Sequence, residues 1–168
     1  EKTNKRLKRL ESEIKRRDKY FGKNLPLCLP PNVDLNDLDH LRTIVIKKEI
    51  PNYVFIEGSF KKSKVHAINV IDILLKDVKA FKIGITNDVM DRYRKGYAMC
   101  GSFLVLFKSD YWETVKIMET ELIEHYKPNP KCKNKNPGGE GNESINGGPY
   151  YTYIASKFKQ QGEDSNTD

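Results

Sequence analysis

The sequence lacks any apolar run approaching the ~20 residues that a membrane-spanning helix needs, which excludes an integral helical membrane protein and favours a soluble one. Cysteine is scarce. Cys28, Cys100 and Cys132 are odd in number and share no metal-type spacing, so neither a disulfide framework nor a zinc site is expected, and a reducing, intracellular compartment follows, the cytoplasm if the source is bacterial. The opening EKTNKRLKRL carries no apolar core of the signal-peptide kind, so secretion is not expected, although residue 1 is not Met and an upstream segment can precede it. Internal repeats are also missing, which excludes solenoids and propellers. At 168 residues there is little room for a second independent core.

What is present in excess is positive charge, and it is unevenly placed. The net charge is +7, and residues 1 to 23 account for +6 of it, with ten Lys or Arg against four acids. A basic arm on a mildly charged body suits a polyanion such as nucleic acid, because displaced counterions favour binding. A solvated basic helix is the other reading. Leu7, Leu10 and Ile14 recur at helical spacing within the arm, a narrow stripe able to dock on the body or to pair with a second copy of the chain. No Trp or Phe accompanies the stripe, which argues against a membrane surface.

Residues 24 to 42, rich in Pro, Asn and Asp, read as a linker with a helical turn near Asn36 to Leu41. Short β-branched and aromatic runs predict strands over Thr43 to Ile46 and Tyr53 to Ile56. Residues 58 to 66 are polar and basic, and Ala67 to Leu75 fit either a helix or a strand. Ala80 to Ile85 reads as a buried strand. Thr86, Asn87 or Asp88 then caps a helix from about Val89 to Tyr97. A strand over Phe103 to Phe107, a helix over Tyr111 to Tyr126 and a last strand over Tyr150 to Ile154 follow. The polar stretch from Gln160 to Asp168 is expected to be disordered.

The helix over 111 to 126 holds the residue that most needs explaining. Val115, Leu122, Ile123 and Tyr126 lie at −4, +3, +4 and +7 from Glu119, which puts this acid inside the apolar face. A carboxylate among apolar neighbours is costly unless it is paired with a cationic side chain or binds a metal cation, and both alternatives stand. In AFKIGITNDVMDRYRKGY, Lys82 and Gly84 share one face of the predicted strand, and Gly84 admits a close approach of backbone or ligand. Arg92, planar and always charged, suits bidentate contact with a phosphate.

Taken in order, these motifs resemble the GIY-YIG nuclease family, in the branch whose second motif reads KIG. Lys82-Ile83-Gly84 resembles that motif, and Arg92, eight residues after Gly84, stands where the family carries its phosphate-binding Arg. Glu119, Leu122, Ile123 and Tyr126 resemble the pattern around its metal-binding Glu. KNKNPGGEG, from Lys133 to Gly141, matches Asn134 to the family Asn. The first motif falls on Tyr53, or on Phe55 in the alternative register.

The resemblance implies an α/β fold with a small, mostly antiparallel sheet flanked by helices. It divides the chain into a basic arm and linker (1–50), a nuclease domain (51–158) with an insertion at 58–79, and a tail (159–168). It further implies a metal-dependent endonuclease for double-stranded DNA, a stand-alone type II restriction enzyme in layout and possible homodimer. A homing or mobile-element nicking enzyme and an inactive DNA-binding module of the same fold are the alternatives. Glu119 would hold one Mg²⁺ or Mn²⁺ ion, Arg92 clamp the phosphate, Lys82 offset developing charge or lower the pKa of a neighbouring tyrosine, Tyr53 act as base and Asn134 orient a phosphate or its loop, with Tyr93 and Tyr97 as substitute donors or bases. Lys61, Lys62, Lys64, Arg94, Lys95, Lys133 and Lys135 are the expected DNA contacts. His66 would be a solvated loop residue or lie near the metal.

Overall fold

The computed structural model describes residues 51–98, 100–139 and 141–159. The basic arm with its Leu7, Leu10 and Ile14 stripe, the turn near Asn36, the strand over Thr43 to Ile46 and the tail beyond Lys159 lie outside the described residues. Among the described residues four strands form: β1 (Asn52–Tyr53), β2 (Val78–Thr86), β3 (Ser102–Ser109) and β4 (Tyr150–Phe158). Three helices accompany them: α1 (Phe60–Leu75), α2 (Val89–Arg92), continued by a π-helical turn over Tyr93–Tyr97, and α3 (Trp112–Tyr126).

The sheet order is β1-β3-β4-β2. β1 runs parallel to β3, while β3 with β4 and β4 with β2 are antiparallel, so this α/β fold has a mixed sheet. Registers line up Tyr53 with Val105, Val105 with Tyr153 and Tyr153 with Gly84, a single rung crossing all four strands. Residues on one rung share a face of the sheet.

One face is covered by α1 and α3. There Val70, Ile71 and Leu74 of α1 pack with Met118, Leu122 and Ile123 of α3 and with Phe81, Ile83, Leu104 and Ile154 of the strands. Each large apolar side chain removed from water contributes ~1.5–3 kcal/mol, so this layer is the main source of stability. The opposite face is smaller and more aromatic, with Tyr53, Phe55, Phe103, Tyr151 and Tyr153 in one cluster and the π-helical turn's Tyr97 against Phe103 and Tyr153. No helix among the described residues is long and apolar enough to cross a membrane.

Two expectations change here. The basic stretch at 58–66 is the first half of α1: the Ser59 hydroxyl accepts from the Lys62 amide at 3.3 Å, and Ser63, His66, Ala67, Val70 and Leu74 are buried at helical spacing. Its lysines made the segment look like a loop, but Lys61 and Lys62 occupy the solvent side of an amphipathic helix. The first strand is shorter than Tyr53 to Ile56, since its last ladder bond runs from the Val54 amide to the Val105 carbonyl at 3.0 Å.

Candidate functional site

Strand β2 lies at the edge of the sheet, and a chain segment after α3 closes that edge. The Phe81 amide donates to the Lys131 carbonyl and the Lys133 amide to the Phe81 carbonyl, each at 2.9 Å. Asn134 continues this ladder with its side chain: Oδ1 accepts from the Ile83 amide at 2.9 Å and Nδ2 donates to the Ile83 carbonyl at 2.8 Å. Its amide group takes the place of one more backbone unit, which satisfies a strand edge that would otherwise be open. Asn134 thus ties the segment after α3 to β2.

On the aromatic face, Gly84 leaves a gap that Tyr153 fills. A Cβ at position 84 would lie 2.5 Å from the Tyr153 hydroxyl oxygen. The Tyr153 ring stacks on Phe103 with centroids 4.6 Å apart, and its hydroxyl accepts from Arg92 Nε at 2.8 Å while donating to the Tyr97 hydroxyl at 3.4 Å. The π-helical turn makes this grouping possible, because i→i+5 bonding brings residues five apart above one another. The Arg92 guanidinium carbon sits 5.5 Å from the Tyr97 ring centre, within cation–π range. At the start of α2, Asp88 Oδ1 accepts from the Asp91 amide at 3.0 Å and fixes where Arg92 begins its turn.

These contacts set the protonation states. Burial pushes the Tyr153 phenol well above its ordinary range, and the bond to Tyr97 adds to this, outweighing the downward pull of Arg92, so Tyr153 stays protonated at neutral pH. For Arg92, partial burial opposes the charge, but the Tyr153 bond and the two phenols prevail and raise its pKa further.

The third wall comes from α3. Glu119, only 8% exposed, faces the loop Gly138–Gly139, whose backbone has φ of +92° and +72°. The Gly139 amide donates to Glu119 Oε2 at 2.8 Å, and a Cβ on Gly138 would meet Ile123 Cδ1 at 2.9 Å. Two glycines in the left-handed region therefore let the loop close over the carboxylate.

Together these walls enclose a cleft of about 380 Å³ lined by Lys82, Gly84, Arg92, Tyr97, Glu119, Lys133, Asn134, Lys135 and Tyr153. Among the described residues, four cations face one carboxylate, a lining that draws in anions. A second cavity of about 480 Å³ adjoins it, sharing Ile85 and Arg92 as walls.

Eight of the residues singled out from the sequence thus meet in one place: Lys82, Gly84, Arg92, Tyr97, Glu119, Lys133, Asn134 and Lys135. Lys95 lines the adjoining cavity and pairs with Asp91 at 3.0 Å. Tyr53 does not join them. It is buried beside Phe55 and Tyr151 on β1, at the opposite edge of the sheet from β2, and Phe55 is buried in the same cluster, so neither register of the first motif puts its side chain in the cleft. Lys61, Lys62 and Lys64 belong to α1 and do not line the cleft; Lys64 forms an ion pair with Glu121 of α3 at 2.7 Å. Arg94 does not line it either, and Tyr93 spends its hydroxyl on the Ala98 carbonyl at 3.3 Å. His66 is fully buried rather than solvated, with Nε2 2.6 Å from the Val54 carbonyl.

Tyr153 is the cleft residue that the motifs did not reveal. Its signal was the alternation Tyr151, Tyr153 in a predicted strand, but only the pairing of β4 with β2 sets it above Gly84.

Among the described residues there is no group of three or more His, Cys, Asp or Glu able to form a metal cage. A buried carboxylate beside cationic side chains still fits Mg²⁺, which keeps most of its waters and takes one or two carboxylates together with substrate phosphate oxygens. Comparison of the chain with protein-family models, curated proteins and solved structures yields no match.

Proposed function

We propose that this chain is a divalent-metal-dependent endonuclease that hydrolyses phosphodiester bonds in double-stranded DNA, acting as a stand-alone restriction-type enzyme. The observation that supports this most is the meeting of Lys82, Arg92, Glu119 and the Asn134 loop around one cationic cleft, from elements far apart in the chain.

Phosphodiester hydrolysis needs a positioned water, relief of charge on the phosphate and a stabilised leaving oxygen. With Nε held by Tyr153, the terminal nitrogens of Arg92 remain to clamp the phosphate, and Tyr97 beneath the guanidinium limits its swing. Lys82, exposed on the same face as Gly84, offsets charge on the phosphate. Glu119 would hold one Mg²⁺ or Mn²⁺ ion, which when bound supplies charge relief and stabilisation of the leaving oxygen. Tyr97, the tyrosine named from the sequence that lines the cleft, would take the proton of the attacking water as its phenolate, with the Tyr153 hydroxyl donating to the same oxygen. Cutting both strands with one such cleft per chain calls for a two-fold dimer.

The test is a divalent-metal titration with plasmid DNA. Mg²⁺-dependent cutting is expected, lost in Glu119→Gln while DNA binding by fluorescence anisotropy persists. Plasmid left intact by the wild-type protein with every metal tried, despite binding, would instead identify a DNA-binding module without catalysis.

A further inference from the structure

The cavity next to the cleft has a chemistry of its own. Its walls include Thr86, Asn87, Trp112, Asn142 and Ser144, an aromatic surface among neutral hydrogen-bonding groups. Its acids are already engaged by the protein, Asp88 as the cap on the Asp91 amide and Asp91 in the pair with Lys95. At about 480 Å³ it is of a size that small planar ligands occupy. Arg92 is a wall of both cavities, so a ligand filling the two would carry a phosphate on one side of the guanidinium and a group suited to stacking and amide hydrogen bonds on the other. A nucleotide has that layout.

We propose that this second cavity is a nucleobase subsite. It receives the base next to the phosphate held by Arg92, turned out of its stack against Trp112 and hydrogen-bonded by Asn87 and Asn142. The proposal rests on the phosphate-binding role of Arg92 given above. Turning out a base from a duplex gives up its stacking and pairing, and stacking on an aromatic side chain with amide contacts to the base edge offsets that cost.

Trp112 is the sole tryptophan of the chain, so its emission reports on this cavity without any knowledge of a recognition sequence. The full chain, with Ca²⁺ in place of Mg²⁺, is titrated with a labelled oligo(dT) and with a labelled backbone of equal length made wholly of abasic sites. Quenching of Trp112 by oligo(dT) is expected, with affinity about fivefold or more above that for the abasic strand. Asn142→Ala, at an exposed loop position, should weaken oligo(dT) and leave the abasic strand unchanged. Equal affinities with unchanged emission would overturn the subsite and leave the nuclease proposal standing. Absence of binding to either strand and to duplex DNA, read by anisotropy, would overturn the nuclease proposal and the subsite with it.

Discussion

Gly84 and Tyr153 sit opposite each other on neighbouring strands, and the phenol of Tyr153 fills the space that any side chain at position 84 would need. A tyrosine end can often swing aside, but here the ring is stacked on Phe103 and the hydroxyl is tied to Arg92. Gly84→Ala is therefore expected to cost about 1–3 kcal/mol of stability through overpacking, measured by urea denaturation. The milder Tyr153→Phe keeps the stacked ring and frees Arg92. Its cost is about 0.5–1.5 kcal/mol in stability, with a fall in DNA cleavage rate of up to ~100-fold from the misplaced guanidinium. Cleavage undiminished in Tyr153→Phe would show that Arg92 does not depend on this bond.

The two tyrosine candidates give opposite expectations. Tyr97→Phe should remove at least ~10²-fold of the cleavage rate by loss of a proton acceptor, whereas Tyr53→Phe, altering a buried residue outside the cleft, should leave the rate within a few-fold of wild type. The reverse ranking in a plasmid-nicking assay would return the role to the first motif.

Asn134 joins the loop to β2 through two bonds to Ile83, and Asn134→Ala leaves the Ile83 amide and carbonyl without them. A loss of about 1–3 kcal/mol follows for polar groups left unsatisfied in a partly buried place. Faster amide hydrogen exchange at Ile83, with protection of α1 unchanged, would localise the effect to this edge.

His66 predicts how stability depends on pH. Since a carbonyl only accepts, Nε2 carries the proton donated to Val54, and Nδ1 is buried with no hydrogen-bond partner. Burial lowers the pKa of this imidazole against a smaller opposing effect of the Val54 bond. The unfolded chain then takes up a proton near pH ~6.5 while the folded one resists it. Stability is full above that pH and falls as the pH drops from there towards the folded value, with a slope of at most ~1.4 kcal/mol per pH unit. Comparing thermal unfolding of the wild type and His66→Gln between pH 5 and 8 (range chosen from the ordinary imidazole pKa, roughly 6.5) isolates this dependence, which should shrink in the variant.

Much of this was legible in the sequence because it is local. The apolar spacing around Glu119 placed an acid on the buried face of a helix, and that is where α3 carries it. The run Ala80 to Ile85 announced a strand, and Thr86, Asn87 or Asp88 announced the helix cap after it, which Asp88 supplies. Periodicity and capping depend on neighbours a few residues away, so they survive in any fold that contains them. The basic stretch at 58–66 misled because charge reports which side faces water and says nothing of the buried Ser63 and His66 beneath.

Tertiary structure decided which tyrosine stands beside Arg92, how the edge of β2 is closed and whether Tyr53 reaches the cleft. Each depends on the order and register of strands distant in sequence, and a shift of one residue turns every side chain to the other face. Phe81, Gly84, Asn134 and Tyr153 carry no mark of their partners in the sequence; the pairing of β2 with β4 on one side and with the loop after α3 on the other brings them together.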